Sequence, residues 1–134
     1  MRVFLDTNVL VSAFATRGLC ADVLRVVLAE HTLVTGEVVL LELRRVLRKR
    51  IGLPQAAVDE IEQLLREHEV APKPKVRAAI PRNDPDDQWV MASAIESRVD
   101  VLVTGDRDIL DVAADTSIKI LDPRGFWKLV SNVR

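Results

Sequence analysis

The sequence is poor in several residue types, and each shortage excludes something. There is one cysteine in 134 residues, so no internal disulfide can form. Cys20 opens an apolar periodic stretch and reads as small core filler rather than a nucleophile. Tyrosine is absent and aromatics make up only 4%, so an aromatic stacking platform is not expected, and any recognition of a nucleic acid should lean on phosphates, shape and 2′-hydroxyls. Neither sign of charge dominates: 19 basic against 20 acidic residues give a net charge of −1, and any attraction to a polyanion must come from local patches. No apolar run approaches the ~20 residues of a membrane span, and the start lacks a charged, then apolar, then small-residue pattern, so a cytoplasmic protein with no membrane association is expected. His31 and His68 lie far apart without a partner motif, no glycine-rich GK[ST] loop is present, and no Ser-His-Asp or Cys-His spacing recommends itself.

What remains is a chain with 49% hydrophobic and 29% charged residues, suited to one domain over residues 1–134 with its own core. Apolar runs of strand length alternate with segments of helical period, the pattern of βα units around a mostly parallel sheet covered on both faces. Strands are predicted at Arg2 to Leu5, Thr32 to Thr35, Val70 with Ala71, Val101 to Val103 and Ile118 to Leu121. Helices are predicted over Val9 to Phe14, Ala21 to Glu30, Glu37 to Arg50, Pro54 to about His68, Asp86 to about Ser97, a short stretch after Gly105, and onward from Arg124. The stretch from Pro72 to Pro85, with four prolines, reads mainly as loop. Phe126 and Trp127 read as packing residues of the last helix.

Acids interrupt this pattern where a core is expected. In FLDTN, Asp6 separates two apolar runs, and burying an ion there is costly unless something compensates. Asp6 directly follows the first strand, and Asp106 follows VLVT with only Gly105 between. In an open parallel sheet both emerge at the carboxyl edge, where such folds bind ligands. Asp87 shares a helical stripe with Val90, Met91, Ala94 and Ile95, and Glu42 stands at the border of an apolar and a basic helix face. Each acid also has a plainer role open to it. Asp84 suits a helix cap before Pro85, Asp106 and Asp108 could cap RDILDVAA, and Glu42 could pair with Arg45 or Arg48. What these roles leave unexplained is the set.

Converging carboxylates need a counter-charge, since at ~4 Å two of them repel by about 4 kcal/mol at an effective dielectric of 20. Without matching His or Cys, such a set selects a hard cation, Mg²⁺ or Mn²⁺, and acid-held metal suits phosphoryl chemistry. If Asp6 and Asp87 crowd such a site, neutralising either should leave the metal-free protein equally or more stable, whereas Asp84→Ala at a true cap should cost ~0.5–2 kcal/mol.

FLDTNVLVSA, ELRRVL and DPDDQWVMASAIESRVDVLVTGDRDIL, in this order and over nearly the whole chain, resemble the PIN-domain nucleases, most closely the toxins of the VapC group. The resemblance implies a three-layer α/β/α sandwich and Mg²⁺- or Mn²⁺-dependent endoribonuclease activity. More loosely, it implies a homodimer and an inhibitory antitoxin. It places the family's four acids on Asp6, Glu42, Asp87 and Asp106, with Asp108 as a further, more variable acid and metal ligand, and Asn8 and Thr104 in support. Gln88 stands where similar members often have Asn or Asp, which leaves Asp84 open beside Asp87 as the third acid. RNA contacts would fall on Arg44, Arg45 and Arg48 after Glu42, and on Arg82 before Asp87. The alternatives are an RNA-processing PIN nuclease without an antitoxin and a non-catalytic acidic-pocket module of receiver type. A receiver, however, wants paired acids after the first strand and a Lys after the last, whereas this chain has DTN, and Lys119 inside the last apolar run. A haloacid-dehalogenase-like phosphatase wants a second Asp where Asn8 stands.

Overall fold

Val3, Phe4 and Leu5 are fully buried, as an uninterrupted apolar run must be when both faces of its strand are covered. In a computed structural model describing residues 1–78, 85–112 and 116–133, this run is β1 (Arg2–Leu5), the middle of a five-stranded sheet. The other strands are β2 (Thr32–Gly36), β3 (Glu69–Ala71), β4 (Val101–Val103) and β5 (Lys119–Leu121), in the order β3-β2-β1-β4-β5 with every pairing parallel.

Two helices, α1 (Thr7–Ala15) and α2 (Leu19–Glu30), link β1 to β2, and α3 (Glu37–Val46) and α4 (Gln55–Arg66) link β2 to β3. The chain then crosses back through α5 (Pro85–Glu96) to β4, passes α6 (Arg107–Leu110) to β5, and closes with α7 (Pro123–Val133). Parallel crossovers are right-handed, so the outward path from β1 to β3 and the return path to β4 lay their helices on opposite faces, which gives three layers. On the first of these faces α7 packs against α2, with Phe126 buried and set edge-on to His31 at 6.1 Å. The reversal of direction falls between β1 and β4, the switch point where such sheets bind ligands.

Several boundaries differ from the sequence reading. Helix α1 begins at Thr7 rather than Val9 because the Asp6 side chain caps it, and α2 begins at Leu19, just after Gly18. The segment from Glu37 to Arg50 is not one α-helix. After Val46 it widens into a π turn over Leu47–Ile51, with Leu47 fully buried, and ends at Gly52, whose φ of 82° favours glycine. Ile95, placed on the inward stripe of α5, is 37% exposed, while Val90, Met91 and Ala94 are buried as expected. Asp84 and Arg82 lie outside the described residues.

Candidate active site

Leu5 and Val103 are register partners, so the next residue on one strand and the next on the other leave the sheet side by side. These are Asp6 and Thr104, 4% and 0% exposed. Asp6 Oδ1 accepts from the Thr7 N–H at 2.7 Å and so caps α1. Its Oδ2 accepts from Thr104 Oγ1 at 2.7 Å and from Asn8 Nδ2 at 3.0 Å. Thr104 Oγ1 in turn accepts from the Asp106 N–H at 3.0 Å, and Asn8 Oδ1 accepts from the Gly105 N–H at 2.9 Å. Asp106 Oδ1 then accepts from the Asp108 N–H at 2.8 Å, capping α6. One network thus runs from Asp6 to Asp108 and fixes the loop between them. Gly105 suits its place, because a Cβ there would stand 3.3 Å from Asn8 Oδ1. Capping and site-building, which the sequence sets against each other, are here done by the same carboxylates.

Asp87, 8% exposed on the first turn of α5, approaches this loop from the other side. Carboxylate oxygens of Asp87, Asp106 and Asp108 lie within 4.8 Å of one another. Asp108, a further and more variable acid in the sequence reading, is thus one of this trio, and Asp106 is near enough to Asp6 to act on its carboxyl. Burial pushes the Asp6 carboxyl up from its ordinary range; the hydrogen bonds from Thr104 and Thr7 oppose this, nearby Asp106 adds to it, and Asn8 opposes it. Half-buried Glu42 on α3 is also pushed up, first by burial and then by Asp86 and Asp6, while Thr7 and Arg45 hold it down. The Thr7 hydroxyl is itself buried with no hydrogen bond of good geometry among the described residues. Oxygen ligands only, three carboxylates whose oxygens lie within 4.8 Å of one another, and two further acids raised first by burial and then by neighbouring acids fit a hard divalent cation, Mg²⁺ or Mn²⁺.

The basic run after Glu42 does not stay together. Successive helix residues turn by about 100°, so neighbours in sequence face different ways. Arg44 pairs with Asp59 at 3.0 Å and with Glu62 on α4, and Arg48 donates to the Leu53 carbonyl at 2.9 Å. Only Arg45 of the three predicted arginines shares a cleft with Glu42, 3.8 Å from Asp86. On the other side of Glu42, Arg50 lines a groove with Thr7 and Asn8. The sequence reading gives Asp86 and Trp89 no place in the site. The stripe Val38, Leu41, Glu42, Arg45 at helical spacing, facing Asp86 and Trp89 three residues apart on α5, is the signal that could have found the cleft.

A family model described as PIN domain matches residues 2–108, most of the chain. The chain belongs to the PIN-domain family. PIN domains are nucleases that typically use a divalent metal, and the acid trio lies at the edge of this PIN fold. The fold is shared with chains of three solved assemblies. The structure of VapBC2 from Rickettsia felis, bound to a DNA fragment from their promoter, matches with a TM-score of 0.65 at 13% identity, covering 91% of this chain and 98% of that one. VapBC-1 from nontypeable Haemophilus influenzae gives 0.61 at 18%, covering 92% and 99%, and FitAB bound to the IR36 DNA fragment gives 0.58 at 17%, covering 90% and 94%. No curated protein sequence matches the chain. Among the described residues, no helix is long and apolar enough to cross a membrane.

Proposed function

We propose that this PIN protein is a Mg²⁺- or Mn²⁺-dependent endoribonuclease and the toxin of a toxin–antitoxin pair, residues 1–134 acting as one domain in the cytoplasm. The observation that carries the reading is the convergence of Asp87, Asp106 and Asp108 within 4.8 Å at the switch point of the sheet, backed by Asp6 and Glu42. In this reading Asp87, Asp106 and Asp108 hold the metal ion, with Asp6 and Glu42 completing its acidic surroundings. When bound, the ion supplies activation of the attacking water and neutralisation of charge on the phosphate and leaving oxygen.

The protein's own residues do the rest. Asp6 and Thr104 hold the Gly105-Asp106 turn, so Asp106 does not have to be ordered when substrate arrives. Asn8 ties α1 to the same turn through the Gly105 N–H. Glu42, its carboxyl raised, can take up the proton lost by the attacking water. Arg45 offers the charge for a substrate phosphate, while Arg44 is engaged on α4. An antitoxin partner and a homodimer are part of the proposal. Their support is the fold shared with chains of the VapBC and FitAB assemblies.

RNA 5′ ends sequenced after expression of the wild type beside Asp6→Asn test the reading. New ends confined to the wild type are expected. An identical set of ends in both would defeat it.

A further inference from the structure

Beside the acid cluster, and sharing Glu42 with it, lies a cleft of about 270 Å³ between α3 and α5. Val38, Leu41 and Trp89 form its apolar walls, and Arg45 and Lys73 line it together with the acids Glu37, Glu42 and Asp86. Leu41 is 72% exposed on the lip, which no requirement of the core explains. The Lys73 ammonium stands over the Trp89 ring, 4.6 Å from its centroid. We propose that this cleft is a base-binding subsite, in which one unpaired nucleobase of the RNA substrate stacks on Trp89 next to the scissile phosphate.

Four observations carry it. The volume lies just under the ~300–1,000 Å³ of sites that enclose drug-sized ligands, which suits one ring system and not a duplex. Among the described residues, the ammonium over the indole face belongs to a lysine that is itself exposed, and an exposed cation–π contact is weaker than a base–aromatic stack. A base can therefore displace the ammonium, which is then placed for the phosphate of the same nucleotide. Glu42, on which Asp6 acts, and Asp86, next in sequence to Asp87, line the cleft and join it to the acids. Scarcity of aromatics excludes a run of stacked bases, but a single indole needs only one. A base can reach Trp89 only when splayed out of a helix, so the inference makes the substrate single-stranded at the cut.

The inference rests on the nuclease reading, since it takes the occupant to be RNA. The test is Trp89 fluorescence in a Trp127→Phe background, titrated in EDTA with hexa-adenylate or with an abasic ribose-phosphate oligomer of equal length, and with folding of each variant checked by melting. Saturable quenching by hexa-adenylate and not by the abasic chain is expected. Followed by anisotropy of a fluorescently labelled hexa-adenylate, Trp89→Ala should weaken binding about 5- to 150-fold, with Trp89→Phe recovering most of the loss. Equal quenching by both oligomers, no quenching, or unchanged binding by Trp89→Ala overturns the subsite; in the second case the cleft is left to a protein partner. Parallel cleavage assays with Mn²⁺ separate the two readings. Cleavage without quenching overturns the subsite alone, quenching without cleavage overturns the nuclease reading alone, and absence of both overturns each.

Discussion

Thr104→Val changes a hydroxyl for a methyl at constant shape, at a position with no exposure. Two hydrogen bonds are lost: the one given to Asp6 Oδ2 at 2.7 Å and the one received from the Asp106 N–H at 3.0 Å. A bond to an ionised acceptor is worth about 1.5–3 kcal/mol, and the peptide N–H left behind adds about 1 kcal/mol. The variant should lose about 2–4 kcal/mol in urea unfolding at neutral pH with EDTA present. Thr104→Ser keeps both bonds and should lose only about 1 kcal/mol for the missing methyl. The sign with pH follows from the same bond. Thr104 holds down a carboxyl that burial raises, so it stabilises the ionised form. As pH falls through the raised folded-state value of Asp6, the carboxyl is protonated in the wild type too, and the charge-assisted part of the bond disappears. The deficit of the valine variant should therefore narrow in acid. A valine variant within ~0.5 kcal/mol of the serine variant at neutral pH, or a deficit that does not narrow, refutes the reasoning.

Glu42→Gln should abolish cleavage yet leave the metal-free protein at least as stable at neutral pH. A carboxyl raised by folding costs stability above its unfolded value of 4.5, and that cost is absent below it. Melting at pH 7.5 and pH 4 checks this, and a less stable variant at neutral pH would contradict it. Arg45→Ala should weaken RNA binding and flatten its salt dependence, whereas Arg44→Ala should change neither, because Arg44 is spent on Asp59 and Glu62. Equal salt slopes for the two variants would be against this placement. Gly36→Ala brings a methyl to 2.4 Å from the buried Ser93 hydroxyl and should cost ~1–3 kcal/mol. Adding Ser93→Ala should recover most of it, and additive losses in that double-mutant cycle would show that the clash is elsewhere.

How far the sequence reveals these features depends on how local each one is. Asp6 stands out because an acid between two buried runs conflicts with its neighbours, and strand β1 follows from the same pattern. The pairing of β1 with β4 joins residues nearly a hundred positions apart, so the Asp6–Thr104 bond has no local signature. That gap has a consequence. From the sequence, neutralising Asp6 should cost nothing without metal. In the structure three donors point at its carboxylate, and an asparagine amide must turn its own N–H₂ toward at least one of them, leaving a donor unpaired at ~1–3 kcal/mol. The Arg44-to-Arg50 run looks like one basic patch in sequence, yet helix rotation and the acids of α4 divide it. Asp108 reads in the sequence both as part of cap geometry with Asp106 and as a further acid, and the structure gives it both surroundings. The π turn after Val46 leaves no mark in the hydrophobic period that predicts a single helix.

The most direct test of the account is cleavage of a single-stranded RNA by the purified protein in Mn²⁺, in excess EDTA, and with Mn²⁺ restored, the wild type run beside Asp106→Asn. Cleavage that depends on Mn²⁺, stops in EDTA, returns with the ion and is absent from the variant is the predicted result; cleavage that persists in EDTA or in Asp106→Asn would contradict it.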